Sequence, residues 1–533
     1  MPVHESDVCI IGGGISSAML ALKLSELRPG VSITVLEAGK KFFDLENRFQ
    51  YRERMMKYGE NSWPGDFIPD QAADGIISRT MAVGGQALHW GGTCNRYSEE
   101  DLTLKSRYGL YMDWPLAWAD LEKHYCEAER RMGVSGEPSP FPEDKRSEPY
   151  VMEAMPLSWN LEQYRQWAAK AGIPFQGVPQ AKNTVPYDGR SQCMRCGTCE
   201  ICPTGAKYSP DFTFKRLLEE KKIELHDHTL VRKLVLGESS PKVFAAQAVQ
   251  RETGESAEYH AKTFVVASGY AWSSHLLLLS ACSPFPNGLA NTSGLVGKYM
   301  CGHAFLTAIM EFDADIYPGM NPDFGLISRK YFRCDSDKPY VRHDLRIFEA
   351  TPPVPLRVKN ADGRILLGEQ VVYNWRSQRR GTARVRAYID VHPAKNSELT
   401  LDAATKNKWG DPMPKIVHRL DAATEQRKAA TREHIMSVFN RLAKNDRANI
   451  ARTFDSEYLD HPAGGCRMGT DPANSVCDGY GRTYDHENLF VVGSPTQPTA
   501  GCTNGTLTFV ALTLRSAEEI AKTLGGAKSA HAG

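Results

Sequence analysis

The sequence predicts an α/β protein that combines a Rossmann-type dinucleotide-binding domain, an antiparallel-sheet domain and a cysteine-rich insert. Three observations lead to this fold class. The N-terminus carries a strand, a glycine-rich turn, a helix and a strand ending on an acid; alternating strands fill the middle; and four cysteines fall within ten residues. With 533 residues the chain is too long for one ordinary hydrophobic core, so at least two domains are expected.

The N-terminal stretch has the pattern of a dinucleotide-binding βαβ unit. Residues 7–36 predict a buried strand, a helix and a second strand, in this order. Gly12 permits a tight turn, and Gly14 lets the backbone approach a pyrophosphate at the helix N-terminus. Glu37 ends the second strand, where a carboxylate accepts hydrogen bonds from a ribose. The third glycine position of the fingerprint carries Ser17, but strand, turn, helix and acid together indicate a bound dinucleotide.

Two later stretches belong to the same domain. Residues 79–92 are glycine-rich, which suits close backbone approach to a flat or phosphate-bearing ligand and equally suits a turn between core elements. Residues 263–269 predict a Rossmann strand that ends in small residues, and a helix follows over residues 271–282. A strand with this ending can pass close to the adenosine side of the cofactor.

Composition and charge set outer limits on function. Apolar residues make up 41% and charged residues 24%, as in folded globular proteins, and the net charge of +1 gives no electrostatic reason to expect nucleic acid. No apolar run reaches the length of a membrane span, so none is expected. No basic segment or cleavage site precedes the first strand, so we expect the chain itself to carry no export signal.

Four cysteines predict a metal centre rather than disulfides. Cys193, Cys196, Cys199 and Cys202 stand at a strict three-residue interval, and Pro203 follows directly. Bacterial ferredoxins have a similar ligand run, in which the last gap is one residue longer. An iron–sulfur cluster is therefore favoured, and a single tetrahedral zinc ion is the structural alternative. A disulfide pair fits less well, because the flanking sequence is not that of a small stapled domain.

The second half of the sequence predicts an antiparallel-sheet domain, followed by a return to the dinucleotide-binding domain. Residues 304–421 contain alternating strands typical of an antiparallel sheet, and residues 422–450 predict one charged amphipathic helix. His461 and Asn504 then lie in loops on either side of a predicted strand at residues 488–494, so both can face one ring of the bound cofactor. Taken singly, a histidine is more often a packing residue and an asparagine more often a helix N-cap.

These segments resemble, in order and spacing, the glucose–methanol–choline (GMC) flavoprotein oxidoreductases. Within that family the chain looks most like the FAD subunits of bacterial glucose, fructose, gluconate and glucoside 3-dehydrogenases, from Asp7 to about Ala521. The cysteine-rich insert is the most specific part, because most GMC oxidases lack it. Besides the N-terminal fingerprint, the matching motifs are residues 83–90, 187–190, 202–206, 296–298 and 485–490.

Some positions depart from the family pattern. Gly302 stands where the family usually has Asp before His303. The even cysteine spacing also differs from that of the relatives, whose cysteines have unequal gaps and whose metal centres resemble three-iron clusters. Four evenly spaced cysteines leave room for a four-iron cluster. His89 corresponds to a histidine that is linked to FAD in the pyranose oxidase branch, whereas closer relatives keep it without a certain covalent bond.

The resemblance implies a domain plan and a set of site residues. Residues 1–303 would be mostly the FAD-binding domain, with the insert at about 187–211; residues 304–455 would be mostly the substrate domain; residues 456–533 would return to the FAD domain and active site. His461 would be the catalytic base and Asn504 would hold the substrate oxygen. The four cysteines would bind a 3Fe-4S or 4Fe-4S cluster. FAD contacts would come from Gly12, Gly14, Ile15, Ser16, Glu37, Ala38, Gly84, Gly85, His89, Gly91, Val231, Ala267, Gly493, Ser494, Asn504 and Thr506.

The implied activity is that of an FAD-dependent sugar or sugar-derivative dehydrogenase. It would oxidise a secondary or anomeric hydroxyl and pass electrons through the iron–sulfur cluster to an external acceptor, expected to be a cytochrome c-type protein. A small signal-bearing subunit would export the folded chain to the periplasm; a cytoplasmic enzyme is the alternative. Two other functions stay open: an oxygen-using GMC sugar oxidase with zinc at the cysteines, and a flavin and cluster electron carrier without its own substrate.

Overall fold

A computed structural model describes most of the 533-residue chain. The described residues are 1–41, 45–58, 67–69, 78–238, 240–312, 325–333, 342–350, 356–377, 381–444 and 448–525. Within them no helix combines the length and the apolar character needed to cross a bilayer. The α-helices found there are α1 (Ile15–Leu27), α2 (Leu45–Tyr58), α3 (Glu99–Leu102), α4 (Leu104–Tyr108), α5 (Trp118–Met132), α6 (Trp159–Lys170), α7 (Pro210–Glu219), α8 (Tyr270–Leu279), α9 (Glu369–Ser377), α10 (Ala422–Lys444) and α11 (Thr506–Thr523).

In the ranges that the structure describes, the strands fall into two large sheets and three small ones. The same ranges contain the 3₁₀ turns Gly85–Leu88 and Ser494–Thr496. The strands are β1 (Val3–Ile11), β2 (Ile33–Leu36), β3 (Phe67–Pro69), β4 (Ser78–Thr80), β5 (Ser135–Gly136), β6 (Met152–Glu153), β7 (Gln176–Gly177), β8 (Glu224–His226), β9 (Thr229–Leu236), β10 (Val243–Gln250), β11 (Ser256–Val266), β12 (Lys298–Phe312), β13 (Gly325–Ser328), β14 (Leu345–Glu349), β15 (Gly381–Ile389), β16 (Glu398–Lys406), β17 (Pro412–Val417), β18 (Ala448–Gly465) and β19 (Leu489–Val491).

The first large sheet is the predicted Rossmann-type layer. Its order is β8-β2-β1-β11-β10-β9, and β19 pairs with the C-terminal part of β11. The pairs β1–β2, β1–β11, β2–β8 and β11–β19 are parallel, so their carboxyl ends lie at one edge. Alternate residues of β1 enter different cores: Val8 and Ile10 pack with α1 and α11, whereas Cys9 and Ile11 face the side of α8. Burial on both faces explains the continuous apolar run of this strand.

The second large sheet is antiparallel, in the order β18-β12-β15-β14-β13-β7. One face packs against α6 and α10, with Trp167 and Phe439 in the same core as Leu306 and Val385. The sheet draws strands from both sides of the predicted boundaries at residues 303 and 455, because β7 and the start of β12 come before the first and β18 crosses the second. The domain boundaries themselves stay a prediction.

One predicted element is wrong at its end. The helix expected over residues 422–450 stops at Lys444, and residues 448–450 already belong to β18. The backbone of β18 pairs with β12, which is about 140 residues away along the chain. Such a long-range pairing overrides the local helical pattern of a charged segment, and the sequence pattern near residue 450 carries no sign of it.

Candidate active site

The N-terminal glycine turn has the geometry of a phosphate cradle. Gly12 has a φ of +104°, and a Cβ there would lie 2.6 Å from the carbonyl oxygen of Ala267, so the turn requires glycine. A Cβ at Gly14 would meet nothing within 4 Å, and Gly14 is the N-cap of α1 without a side-chain cap. The open space and the uncapped N–H groups of α1 (Ile15 and Ser16 in its first turn) fit a pyrophosphate.

Glu37, which directly follows β2, stabilises this turn by hydrogen bonds. Its two carboxylate oxygens accept hydrogen bonds from the backbone N–H groups of Gly13 and Gly39, both at 2.7 Å. Burial raises the pKa of Glu37 to about 7, while these N–H donors and the charge of Arg251 oppose the rise. Each carboxylate oxygen has a second lone pair, so the side chain can accept a ribose hydroxyl in addition.

Other predicted cofactor residues surround the same edge of the sheet. Ala267 follows β11 and its N–H donates to Ile11, while a Cβ at Gly493 would lie 3.0 Å from Ser16 Oγ. Ser494 begins the 3₁₀ turn after Gly493. The carbonyl of Ala38 accepts a hydrogen bond from Arg251 (2.8 Å). Val231 lies in β9, and the N–H of Thr229, the first residue of that strand, donates to the carbonyl of Glu37.

A single segment joins the phosphate cradle to the predicted catalytic pair. At one end, the N–H of Gly84 donates to the carbonyl of Gly13 (2.7 Å), and a Cβ at Gly85 would lie 3.3 Å from Gly14 Cα. At the other end, Asn95 Nδ2 donates to Thr503 Oγ1 (3.0 Å) and approaches Asn504 Oδ1 (3.5 Å). Residues 84–95 therefore connect the glycine turn directly to the region of the His461–Asn504 pair.

His89 lies in the middle of this segment and is held as a neutral ring. Burial, and then the charge of Lys207, lower the pKa of His89 to about 3, although a hydrogen bond with the backbone of Glu200 opposes the shift. Lys207 Nζ donates to the carbonyls of Leu88 and Trp90, on either side of His89. Gly91 follows in the same stretch, where no atom lies within 4 Å of a Cβ built on it.

The structure brings His461 and Asn504 together. His461 Nε2 lies 2.6 Å from Asn504 Nδ2, and both side chains are half-buried. Thr506, two residues further on, is the first residue of α11. The expected loop position of His461 is wrong: it lies inside β18, with a φ of +55°. The pairing of β12 with β18 slips there, from Cys301 opposite Ala463 to His303 opposite Asp460, which forms a β-bulge.

Two side chains that contact His461, and a third that contacts Thr503 next to Asn504, were not predicted. His303 Nδ1 lies 3.2 Å from His461 Nδ1, and the ring of Tyr388 lies 5.5 Å from that of His461. Arg346 Nη2 donates to Thr503 Oγ1 (2.9 Å), and its guanidinium lies over the Tyr388 ring. They sit on the antiparallel-sheet face opposite the apolar core. The alternation of these strands was visible in the sequence, but which face meets the catalytic pair was not.

The structure does not gather the four predicted metal ligands. Cys199 is buried, Cys193 and Cys202 are half-buried, and Cys196 is exposed. Within the described residues, no group of three or more His, Cys, Asp or Glu side chains is arranged to hold a metal ion. Backbone N–H groups do donate to Cys193 Sγ and Cys202 Sγ, both at 3.4 Å. The arrangement of the four thiols thus does not support the predicted cluster.

The cysteine segment nevertheless lies against the predicted flavin stretch. Ile201 packs with Ala82 and Leu88, and Lys207 Nζ donates to the carbonyl of Cys199 (2.7 Å) as well as to Leu88. Burial raises the pKa of Cys202, but the N–H and the ammonium of Lys207 hold it below its ordinary value overall. A thiol with a lowered pKa therefore lies in the segment that packs against Ala82 and Leu88.

The chain is similar to known proteins over nearly its whole length. The chain is 29% identical to the fructose dehydrogenase large subunit of Gluconobacter japonicus, over 97% of this chain and 98% of that protein. It is 28% identical to the 6'''-hydroxyparomomycin C oxidase of Streptomyces lividus, over 98% of this chain and 93% of that one. A solved structure of formate oxidase from Aspergillus oryzae RIB40 superimposes with a TM-score of 0.66 at 15% identity, covering 98% of this chain and 100% of that chain.

The family assignment rests on sequence models of the two halves of GMC oxidoreductases. The N-terminal one matches residues 7–305 and the C-terminal one matches residues 393–513. The first match alone spans more than half of the chain, and it contains the glycine turn, Glu37 and the 79–92 stretch; the second contains His461 and Asn504. The chain therefore belongs to the GMC oxidoreductase family and is an FAD-dependent enzyme that oxidises CH–OH groups.

Proposed function

We propose that this enzyme is a dehydrogenase of a sugar or sugar-derived alcohol and that it oxidises a secondary or anomeric hydroxyl. The observation that carries the proposal is the His461–Asn504 pair at the far end of the segment that begins at the phosphate cradle. The fructose dehydrogenase large subunit, similar over nearly the whole of both chains, supports the sugar class. Tyr388, whose ring lies beside His461, carries a hydroxyl that suits a substrate rich in hydroxyl groups.

The roles of the pair follow from their atoms. His461 Nε2 accepts the proton of the substrate hydroxyl, the general-base role that enzymes most often give to histidine. Asn504 donates its amide N–H to the same oxygen and so fixes the C–H bond in one direction. The bound FAD supplies the hydride acceptor. Tyr388, whose ring is buried beside His461, keeps water away from this side of the imidazole.

An anaerobic panel of sugars and polyols tests the proposal. The flavin absorbance of the purified holoenzyme should bleach with at least one sugar, and His461→Ala should keep the flavin and lose the bleaching. A flavin that no sugar reduces, although dithionite does, would contradict the substrate class. That result would favour the alternative function of an electron carrier that takes reducing equivalents from a partner.

A second candidate is an oxidase of the same substrate class. Two similar proteins, the 6'''-hydroxyparomomycin C oxidase and the paromamine 6'-oxidase of Streptomyces fradiae, are oxidases. The reduced enzyme should therefore be mixed with air-saturated buffer and, separately, with a cytochrome c or a quinone. Slow reoxidation in air with fast reoxidation by the acceptor supports a dehydrogenase, whereas stoichiometric hydrogen peroxide supports the oxidase.

We propose further that residues 193–202 bind an iron–sulfur cluster with one-electron chemistry toward an external acceptor. Support comes from the cysteine spacing, the N–H donors to two of the sulfurs and the contact of the segment with the 82–90 region. Iron and acid-labile sulfide should accompany the flavin, and paramagnetic resonance of the oxidised protein separates a three-iron from a four-iron centre. Zinc without iron or sulfide contradicts this proposal.

A matched pair of variants separates the electron outlet from the flavin reaction. Cys199→Ser should leave the reduction of the flavin by sugar intact and slow reoxidation by the cytochrome. Cys282→Ser, on the far side of the Rossmann sheet, is the control and should change neither half-reaction. Equal reoxidation rates in the two variants would remove the cysteine segment from the electron path.

For assembly and location, we propose a small signal-bearing subunit, a cytochrome c-type acceptor and a periplasmic enzyme. The support is the name of one similar protein, a large subunit. Fractionation of the native cells should place the flavin and the sugar-dependent cytochrome reduction in the periplasm, together with a second, smaller chain. A fully active single chain in the cytoplasm contradicts this assembly.

A further inference from the structure

His303 links the predicted base to the backbone of the loop that carries Asn504. Its ring is fully buried in β12, next to the bulge of β18. Its Nε2 lies 2.9 Å from the carbonyl oxygen of Ala500, and its Nδ1 lies 3.2 Å from His461 Nδ1. Three groups in a row, the carbonyl of Ala500, His303 and His461, thus lead to the His461 Nε2 that meets Asn504.

The donors along this row have one consistent arrangement. A carbonyl oxygen can only accept, so His303 Nε2 carries a hydrogen and donates it to Ala500. In a neutral ring the other nitrogen, His303 Nδ1, then accepts, and the hydrogen between the two rings belongs to His461 Nδ1. His461 Nε2 is therefore left without a hydrogen.

Asn504 provides an independent check at the other end of the row. Its Oδ1 lies 3.5 Å from the Asn95 amide Nδ2, which orients the Asn504 Nδ2 toward His461 Nε2. An amide N–H is a donor, so it requires an acceptor at His461 Nε2. The opposite arrangement would need a doubly protonated, buried His303 and would place two donors 2.6 Å apart.

From this arrangement we propose that His303 is a positioning residue that fixes the base tautomer of His461. The inference rests on the proposed function, in which His461 is the base. During the reaction the substrate O–H bond breaks, its proton forms a new bond with His461 Nε2, and the hydride leaves the carbon for the oxidised FAD. His461 then holds two N–H groups, and the lone pair of His303 Nδ1 stabilises the resulting positive charge.

The backbone of His461 explains why such a support is needed. Its φ of +55° lies in the left-handed region, which non-glycine residues adopt uncommonly and at a cost in backbone energy. The bulge that contains it pairs with the β12 segment that carries His303. A hydrogen bond between the two rings therefore fixes both the direction and the tautomer of a side chain that its own backbone holds in a strained conformation.

Two substitutions at the same buried position show whether His303 positions His461 or only fills space. His303→Phe keeps the ring volume and removes both nitrogens, whereas His303→Asn keeps an acceptor oxygen near the place of Nδ1. We expect His303→Phe to reduce the rate of anaerobic flavin reduction by ~10²–10⁴-fold with the sugar dissociation constant and flavin content little changed. His303→Asn should recover at least about tenfold of that loss.

Nitrogen NMR of ¹⁵N-histidine-labelled holoenzyme reads the tautomer without any substrate. The His461 signals, assigned by their loss in His461→Gln, should show an unprotonated Nε2 in the wild type and a mixture in His303→Phe. A protonated Nε2 in the wild type, or an unchanged reduction rate in His303→Phe, overturns the proposal. Because the NMR result needs no sugar, it stands even when the sugar panel fails; and if His303→Phe loses its flavin, the wild-type and His303→Asn spectra decide.

Discussion

His461 is the proposed base, and its Nε2 contacts Asn504. Replacing it with alanine removes the proton acceptor while the phosphate cradle, which lies in other segments, keeps the cofactor. We expect His461→Ala to reduce the rate of flavin reduction by ~10²–10⁴-fold, the usual contribution of a general base. Anaerobic stopped-flow absorbance measures it. His260→Ala, in β11 of the Rossmann sheet, is the control and should react as the wild type does.

A second residue-scale prediction concerns Glu37 and pH. Burial raises its pKa to about 7 from the ordinary value of 4.5, so between these values the folded protein binds one proton more than the unfolded chain at this site. The free energy of unfolding of the flavin-free protein should therefore lose a contribution as the pH rises through this window, and level off above it. Urea unfolding from pH 4.5 to 8 measures the slope.

The control for that slope is Glu37→Gln, which has no proton to gain. Its free energy of unfolding should vary less with pH across the same window than that of the wild type. The variant should also retain flavin poorly, because glutamine offers one oxygen where Gly13 and Gly39 both donate. An unpaired buried N–H costs roughly 1–3 kcal/mol. Identical pH slopes in the two proteins would contradict the raised pKa.

The glycine turn and Glu37 could be predicted from the sequence, because the tight turn, the helix N-terminus and the acid are local features of one βαβ unit. His303 and Arg346 could not, since they meet His461 and Thr503 across about 160 residues of chain. Sequence spacing carries no signal for such contacts, and only the position of His303 beside the unusual Gly302 marked it.

Among the strands and helices, β18 is an element that the sequence pattern did not predict. Predicted strands such as β1, β2, β11 and β15 are confirmed because each has its own apolar periodicity. β18 does not: it starts in a charged segment and contains Pro462, which sheets tolerate mainly at edges and bulges. Its bulge exists because β12 lies beside it, and this pairing places His461 in a strand where a loop was predicted.

Gly464 gives an element-scale prediction about that bulge. It has a φ of +85°, and a Cβ there would lie 2.2 Å from the carbonyl oxygen of Tyr299 on the neighbouring strand. Gly464→Ala should therefore lower the free energy of unfolding by more than the ~1–2 kcal/mol of the left-handed backbone alone, and slow flavin reduction by displacing His461. Chemical unfolding and stopped-flow absorbance measure the two effects.

Gly410 is the matched control, with a φ of +87° and nothing within 4 Å of a Cβ. Gly410→Ala has the same backbone strain without the clash, so the difference between the two variants isolates the contact with β12. It should leave flavin reduction unchanged. Equal losses of stability in both variants would show that the backbone conformation alone, and not the close approach of the two strands, requires glycine at position 464.

On the scale of the whole molecule, the chain's function depends on segments that meet only after folding. The Rossmann-type sheet provides the cradle, one face of the antiparallel sheet provides His303 and Tyr388, and the C-terminal return provides Asn504. The fold class was predictable because each sheet has its own periodicity. The arrangement of the cysteines could not be predicted, because even spacing shows that the thiols are near one another in sequence but not whether they meet at one point in the fold.

Lys207 connects the cysteine segment to the stretch around His89, and we predict that its replacement weakens the whole fold. Its buried Nζ donates to Leu88, Trp90 and Cys199, which joins the cysteine segment to the stretch around His89. Lys207→Met keeps the length of the side chain but leaves three carbonyls without this donor, and each buried unpaired group costs roughly 1–3 kcal/mol. Removing a charge whose pKa burial has lowered to about 8 offsets part of that cost.

We therefore expect Lys207→Met to unfold at a lower urea concentration and to lose flavin on dilution, because the three carbonyls outweigh the one buried charge. Lys215→Met, on the exposed side of α7, is the control and should match the wild type in both measurements. Unfolding midpoints and the flavin-to-protein absorbance ratio test the expectation. A Lys207→Met variant as stable as the wild type would mean that desolvation of the ammonium outweighs its hydrogen bonds, and that the cysteine segment is held to the flavin stretch by apolar packing around Ile201.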